Sequence, residues 1–468
     1  MNNRKLLGQM LSVMLLLGLS VGMMAATTLK PRIVVLTDIA PGDIEPDDME
    51  SMVRLMAYAD QLEIEGIITS TGWNCDPYPT GWADSLQSVI RAYEHDVCQL
   101  MKRSSQKRFL PLSKEQGRQP IGYWPSPAYL RSRVAMGSQR SGIKVIGADN
   151  DSPGSQLIIQ LVDEPDPRPL WIACWGGANT LAQAIWRVQQ ERSPEQLKTF
   201  LRKLRVYTIT DQDMVYAMRR NRAYSSHQWL RREFADDLLF IWDESAWLMQ
   251  CDLGKRNWQQ YASQVQGKGR LGQVYPTFKW GVEGDTPSFL YVLPTGLHQP
   301  DVPAQIGWAG CFLRDLCPDS LTHAWTNWRA PQKAISDDYE RQFYDDIFND
   351  FAARMEWAAS GKGLHNPVAI VNGKRGLEPI RLKGKAGRPI TLDASKSYAV
   401  DGLPLSFRWW IQKDLSPFAT QVTIEQQNGK AIVHLPATTQ HEEVHVICEV
   451  RQESQPSLVS YRRIIIHL

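Results

Sequence analysis

Apolar and polar positions along the chain repeat with two different periods. Residues 32–36 form a short apolar run rich in β-branched side chains, which predicts a buried strand. From Pro46 the period changes. Met49, Met52, Val53 and Met56 fall at i, i+3, i+4 and i+7, and Pro46, Asp47 and Asp48 supply the proline and acidic side chains expected in a first helical turn. Strand-like runs recur at 62–69, 170–174 and 204–209, and helical periodicity at 82–100, 128–138 and 181–188. This alternation predicts an α/β fold, a mainly parallel sheet with helices on both faces. Residues 104–127, basic and broken by Pro and Gly, predict a loop or lid. After Trp328 the pattern shifts: 336–360 predicts an amphipathic helix stopped by Gly361-Lys362-Gly363. From about 366 onward, short strand-like segments (380–382, 390–392, 405–411, 421–424, 431–435, 443–451 and 460–468) separated by turn residues predict a β-sandwich. The expected layout is a signal peptide at 1–26, an α/β domain at 27–362 and an all-β sandwich at 363–468.

The leader rests on a short basic start (Arg4, Lys5), an apolar run at 6–24 and small residues at Ala25-Ala26. It predicts an exported protein, periplasmic, at the cell surface or secreted, with no membrane span once the signal is removed. Composition narrows the partners. The 52 basic and 50 acidic residues leave a net charge of +2 with no long charged block, which argues against a nucleic-acid polymer. Seven cysteines show no metal-type spacing; one disulfide, such as Cys311 with Cys317, stays open. Seventeen tryptophans, several beside Gly and Pro, point weakly to stacking on sugar faces.

The candidate chemistry sits between the first strand and the first helix, where Asp38, Asp43, Glu45, Asp47 and Asp48 share one loop. In an open α/β sheet the carboxyl ends of the strands are where ligands bind. Crowded carboxylates repel, and a helix N-terminus offsets only about 0.3–1 kcal/mol per charge. A hard divalent cation offsets more, and an all-oxygen donor set suits Ca²⁺, with Mg²⁺ second, rather than zinc. A solvated acidic loop capping an ordinary helix is the alternative, and these residues alone leave both open. Other strand ends add to the picture: a polar loop reaching Asn74, a Gly176-Gly177 turn before a helix, Asp211 with Asp213, and Glu283 with Asp285. Each alone suits a turn or cap; their recurrence at strand ends points to one site.

These residues carry a resemblance. The stretch 32–59 is similar to the acidic fingerprint of nucleoside hydrolases, WGGANTLA (175–182) to that family's second signature, and Asp285 to its late aspartate. More closely, TDI, EPDD, RPLWIACWGGANTLAQA, YTITDQD, RNW, LGQVYPTFKWGVEGDTPSF and GWAG, in that order over about 32–328, resemble an exported bacterial family with a nucleoside-hydrolase-like domain, sometimes described as cellulose-binding. The stretch 393–410 resembles immunoglobulin-like modules of exported glycan-acting enzymes. There Trp409 or Trp410 could face a polysaccharide, although a core position is favoured because neighbouring strand residues point to opposite faces.

The resemblance implies a Ca²⁺ held by Asp38, Asp48, the Asn179 carbonyl and Asp285. It makes Asp38 and Asp47 catalytic, Asp38 taking the proton of a metal-activated water and Asp47 touching a sugar hydroxyl, and places Asp211 and Asp213 in the sugar pocket; Asn74 and Glu283, from the strand-end loops themselves, join them as substrate-binding candidates. The implied activity is hydrolysis of an N- or O-glycosidic bond in a carbohydrate or nucleoside-type small molecule; the alternative is a non-catalytic binder of cellulose or plant glycan on the same scaffold. Three departures matter. Residues 39–46 make eight between Asp38 and the Asp-Asp pair, where nucleoside hydrolases have three; Leu36 replaces their first aspartate; and Gly284 stands where a histidine helps the nucleobase leave. A glycan fragment is therefore the expected substrate, with Glu283, Asp211 or Asp213 donating to a sugar oxygen.

Overall fold

The computed structural model describes residues 28–41, 44–416, 419–437 and 442–468. The leader expected at 1–26 and Asp43 lie outside these residues. The α/β part runs β1 (Arg32–Thr37), α1 (Pro46–Ala57), β2 (Glu63–Thr69), α2 (Asp84–Met101), α3 (Pro127–Ser132), β3 (Val134–Met136), α4 (Pro153–Asp163), β4 (Leu170–Cys174), α5 (Asn179–Glu191), β5 (Leu204–Ile209), α6 (Ser226–Phe234), β6 (Leu239–Asp243) and α7 (Ala246–Arg256). It closes with α8 (Thr286–Leu290), β7 (Leu313–Leu316), β8 (His323–Thr326) and the long α9 (Gln332–Ser360).

The sheet order is β3-β2-β1-β4-β5-β6-β8-β7, parallel except for β7 at one edge. β1 is central and covered on both faces: Ile33 and Val35 belong to the core under α1, α2 and α9, whereas Val34 and Leu36 belong to the core under α4 and α5. Burial on both faces is why β1 reads as a continuous apolar run rather than an alternating one. The helix expected over 128–138 is split. Ser126 caps α3 by accepting the Tyr129 amide, the helix ends at Ser132, and Val134–Met136 pairs in parallel with β2. Three residues are too few for a strand period to show in sequence.

α9 ends at Gly361, whose φ of 68° is the left-handed conformation that terminates helices. Beyond it lie a four-stranded sheet, with β9 (Ile380–Lys383), β11 (Leu405–Ile411), β14 (Glu443–Gln452) and β15 (Val459–His467), and a three-stranded one, with β10 (Ile390–Asp393), β12 (Thr423–Gln427) and β13 (Lys430–His434). The two share their own core. The larger sheet also turns Ile447, Val459 and Tyr461 onto the core of the α/β part, where Tyr461 Oη donates to Asp346 of α9 at 2.8 Å.

Two alternatives left open by the sequence are resolved here, the first in favour of the core position. Trp409 is buried inside the sandwich, and Trp410 packs on Tyr339 and Phe343 of α9 while donating to Glu449 at 2.8 Å, so neither faces a polysaccharide. Cys311 and Cys317 are buried free thiols rather than a disulfide. No helix among the described residues is long and apolar enough to cross a membrane.

Candidate metal centre

Three elements bring five carboxylates to the carboxyl edge of the sheet. Asp38 follows β1, Asp47 and Asp48 open α1, Glu45 occupies the position before that helix, and Asp285 precedes α8. Pro46 and Pro287 preset the first turn of both helices, where no backbone donor is needed. Glu45 makes no capping bond to its own helix; its carboxylate accepts the Asn74 amide at 2.7 Å. Thr37 Oγ1 donates to Asp48 and accepts the Ile39 amide at 3.1 Å.

Asp48 lies at the middle of the cluster. Asp38 and Asp285 act on it electrostatically. Glu45, Asp47 and Asp48 place carboxylate oxygens within 4.8 Å of one another. Asp38, Asp48 and Asp285 are 1–2% exposed, and Asp38 Oδ2, Asp47 Oδ1 and Asp285 Oδ2 have no hydrogen-bond partner. The walls are bare backbone. A Cβ added at Gly176 would meet Asp38 Oδ1 at 2.9 Å, and one at Gly284 would meet Asp47 Oδ2 at 2.9 Å.

The electrostatics follow from this packing. Burial lifts Asp38 well above the ordinary carboxylate range, with Asp48 and Asp47 adding to it. Burial also lifts Asp48, with Asp285, Asp47 and Glu45 next, and Asp285, with Asp47 and Asp38 next. Glu45 is pushed up to about 9 by burial and then by Asp38 and Asp47, against the Asn74 hydrogen bond. Asp47 rises only to about 6, because the first backbone amides of α1 offset part of its burial. Such a set is tolerable with protons or with positive charge at its centre. Five carboxylates with three orphan oxygens and no nitrogen or sulfur ligand fit a hard divalent cation.

The remaining candidates divide. Asn179 opens α5 just after the Gly176-Gly177 turn; its amide nitrogen donates to the Arg140 carbonyl and its Oδ1 has no partner. Asn74 bonds the acidic cluster directly, as the holder of Glu45. Asp213 is held from two other segments: it accepts the Gly142 amide at 2.9 Å, the Ser226 amide at 2.8 Å and the Ser226 hydroxyl. Asp211 accepts Ser225 Oγ at 2.8 Å, with His227 and Arg222 3.8 and 3.9 Å away. Glu283 forms a fully buried ion pair with Arg54 and accepts Tyr275 Oη at 2.9 Å and Gln250 at 3.3 Å. These partners occupy the carboxylates of Asp213 and Glu283 within the fold.

Sequence reasoning gave no role to Thr37, Thr71, Gly72 or Glu50. Thr71 Oγ1 is buried without a partner, and Glu50, equally buried, accepts the Glu283 amide at 2.7 Å while its other oxygen has none. Thr37, beside Asp38, and Thr71 and Gly72, in the polar loop after β2, carried a signal in sequence; Glu50 carried none.

Residues 32–312 match the family model described as the cellulose-binding Sde182, nucleoside hydrolase-like domain, and residues 389–468 that of the cellulose-binding protein Sde0182, C-terminal domain. The solved structure of a nucleoside hydrolase-related hypothetical protein from Saccharophagus degradans, associated with carbohydrate metabolism, is similar at 32% identity, with a TM-score of 0.79 over 93% of this chain and 99% of that one. A chimeric titin Z1Z2 aligns at 14% identity over 22% of this chain and 97% of its own with a TM-score of 0.15, too low to bear on the fold. No curated protein matches.

Proposed function

The chain belongs to the cellulose-binding Sde182, nucleoside hydrolase-like family, and from that premise we propose that it is a metal-dependent hydrolase of glycosidic bonds, with Ca²⁺ as its cation and a carbohydrate as its substrate. One observation carries the reading: Glu45, Asp47 and Asp48 bring ligand atoms within 4.8 Å of one another, and buried carboxylate oxygens on Asp47 and on the neighbouring Asp38 and Asp285 have no donor. An unsatisfied buried polar group costs about 1–3 kcal/mol, more when charged, so an acidic cluster of this kind signals a cation.

Asp38, Asp48 and Asp285 would hold the cation, with Glu45 fixed beside them by Asn74. A bound Ca²⁺ supplies the positive charge that lets these carboxylates ionise together, and it makes a coordinated water more acidic. Asp38 Oδ2, an acceptor with no donor, takes the proton of the attacking water. Asp47 is more exposed than its neighbours and accepts a hydrogen bond from a sugar hydroxyl. Attack by water without a protein nucleophile inverts the anomeric centre: the new C–O bond forms as the glycosidic C–O bond breaks, and the departing aglycone oxygen takes a proton from solvent.

The substrate follows from Gly284. A Cβ there would lie 2.9 Å from Asp47 Oδ2 and 3.2 Å from Cys251 Sγ, so a side chain that protonates a departing nucleobase has no room. This supports an O-linked sugar over a nucleoside. Export belongs to the proposal, supported by Arg4, Lys5 and the apolar run at 6–24. The family description favours a second reading, a non-catalytic carbohydrate binder. Sugar release from a panel of aryl glycosides, oligosaccharides and ribonucleosides, with and without chelator, separates the two. The proposal expects Ca²⁺-dependent turnover of an O-glycoside that Asp48→Asn abolishes. Turnover indifferent to chelator contradicts it, and glycan binding with no turnover favours the second reading.

A further inference from the structure

A second cavity, of about 960 Å³, lies between the α/β part and the C-terminal sheets. That is the upper end of the size range of ligand pockets. It stands apart from the acidic cluster: Tyr58, in its wall, follows the C-terminus of α1, ten residues beyond Asp48, or about 15 Å along the helix axis. Both parts of the chain build it. One wall carries Tyr58, Tyr123 and the basic segment from Arg103 to Arg108; the other carries Val400, Val459 and Tyr461. Leu110 and Val400 line it from opposite sides while 39% and 51% exposed.

Its charge is one-sided. The two acids in the wall, Asp60 and Asp350, are already neutralised by buried Arg354 at 2.6 and 3.1 Å. Arg103 lends one nitrogen to Asp401 at 3.3 Å, while its buried Nε has no partner. Lys107 and Arg108 form no ion pair among the described residues. Neutral hydrogen-bonding groups on Gln61, Ser105 and Thr295 complete the lining. Apolar surface with alcohol and amide groups matches the alternating faces of a pyranose ring, and uncompensated cations call for a carboxylate on it.

We propose that this interdomain cleft binds an acidic oligosaccharide, a uronate-bearing glycan chain, at a site separate from the acidic pocket. The proposal rests on the carbohydrate reading above but not on hydrolysis. Charge complementarity selects a uronate over a neutral glucan, and the exposed apolar side chains of Leu110 and Val400 on opposite walls favour a sugar ring over an extended acidic peptide.

Isothermal titration of the full chain with tetragalacturonate, cellotetraose and an oligoglutamate tests it. The expected result is binding of tetragalacturonate at least tenfold tighter than either competitor, weakened by added salt. Lys107→Gln with Arg108→Gln, and separately Val400→Asp, should each weaken it at least tenfold; all three positions line the cleft without an ion pair or a place in the core, so folding survives. Asp48→Asn should bind like the wild type, which separates failure of this site from failure of the hydrolytic one. Equal affinity for cellotetraose, equal affinity for the oligoglutamate, or undiminished binding by the charge variants overturns the proposal.

Discussion

A Cβ on Gly72 would stand 1.7 Å from Asp38 Oδ2, closer than two atoms can approach. Gly72 is itself fixed by paired backbone hydrogen bonds with Cys75, at 3.3 and 3.4 Å, so the side chain of Asp38 is what must yield. Gly72→Ala is expected to lower Ca²⁺ affinity at least 100-fold by calorimetry, with a stability loss of about 1–3 kcal/mol from overpacking.

Asp48 lies within 4.8 Å of Glu45 and Asp47 ligand atoms and feels the charges of Asp285 and Asp38 as well. Removing its charge relieves repulsion in the metal-free protein and removes the central ligand. Asp48→Asn should therefore be more stable than the wild type in chelator, by about 1–3 kcal/mol, and gain no stability from Ca²⁺. Thermal unfolding with and without metal checks both signs.

Glu283 was a candidate donor in sequence and is an ion-pair partner of Arg54 in the structure. Arg54→Ala should cost about 3–5 kcal/mol by leaving a buried carboxylate alone. Glu283→Gln should lower stability yet keep turnover within a few-fold. Collapse of turnover with stability intact would restore the donor role.

His445 and His298 face the same buried Arg463. His445 Nδ1 lies 3.0 Å from Arg463 Nη1; burial first, then Arg463, lowers His445 from 6.5 to about 4 and His298 to about 3. Both bind protons more readily unfolded than folded, so their stability contribution is complete above pH 6.5 and is lost as pH falls towards 4. The His445 share is on the order of 3 kcal/mol. His445→Gln should flatten the unfolding temperature against pH between 6.5 and 4; parallel curves for the two proteins would contradict this.

The central strands were legible because burial on both faces forces continuous apolar runs, and β1, β2, β4 and β5 stand where those runs predicted. β3 was not, because three residues carry no period. The acidic cluster was legible in part: Asp38, Asp47 and Asp48 share one loop, and Asp285 was flagged as one of the recurring carboxylates and tied to them by the resemblance. The roles of Asp213 and Glu283 were hidden because their partners, Gly142, Ser226 and Arg54, come from other elements of the chain. A carboxylate at a strand end reads the same whether it faces a ligand or an arginine.

The most direct measurement is Ca²⁺ titration calorimetry on the chelator-stripped full chain, beside Asp48→Asn and Asp285→Asn. The account predicts one equivalent of Ca²⁺ taken up by the wild type, with a matching rise in unfolding temperature, and none by either variant. A wild type that takes up no Ca²⁺, or variants that take it up equally, would contradict it.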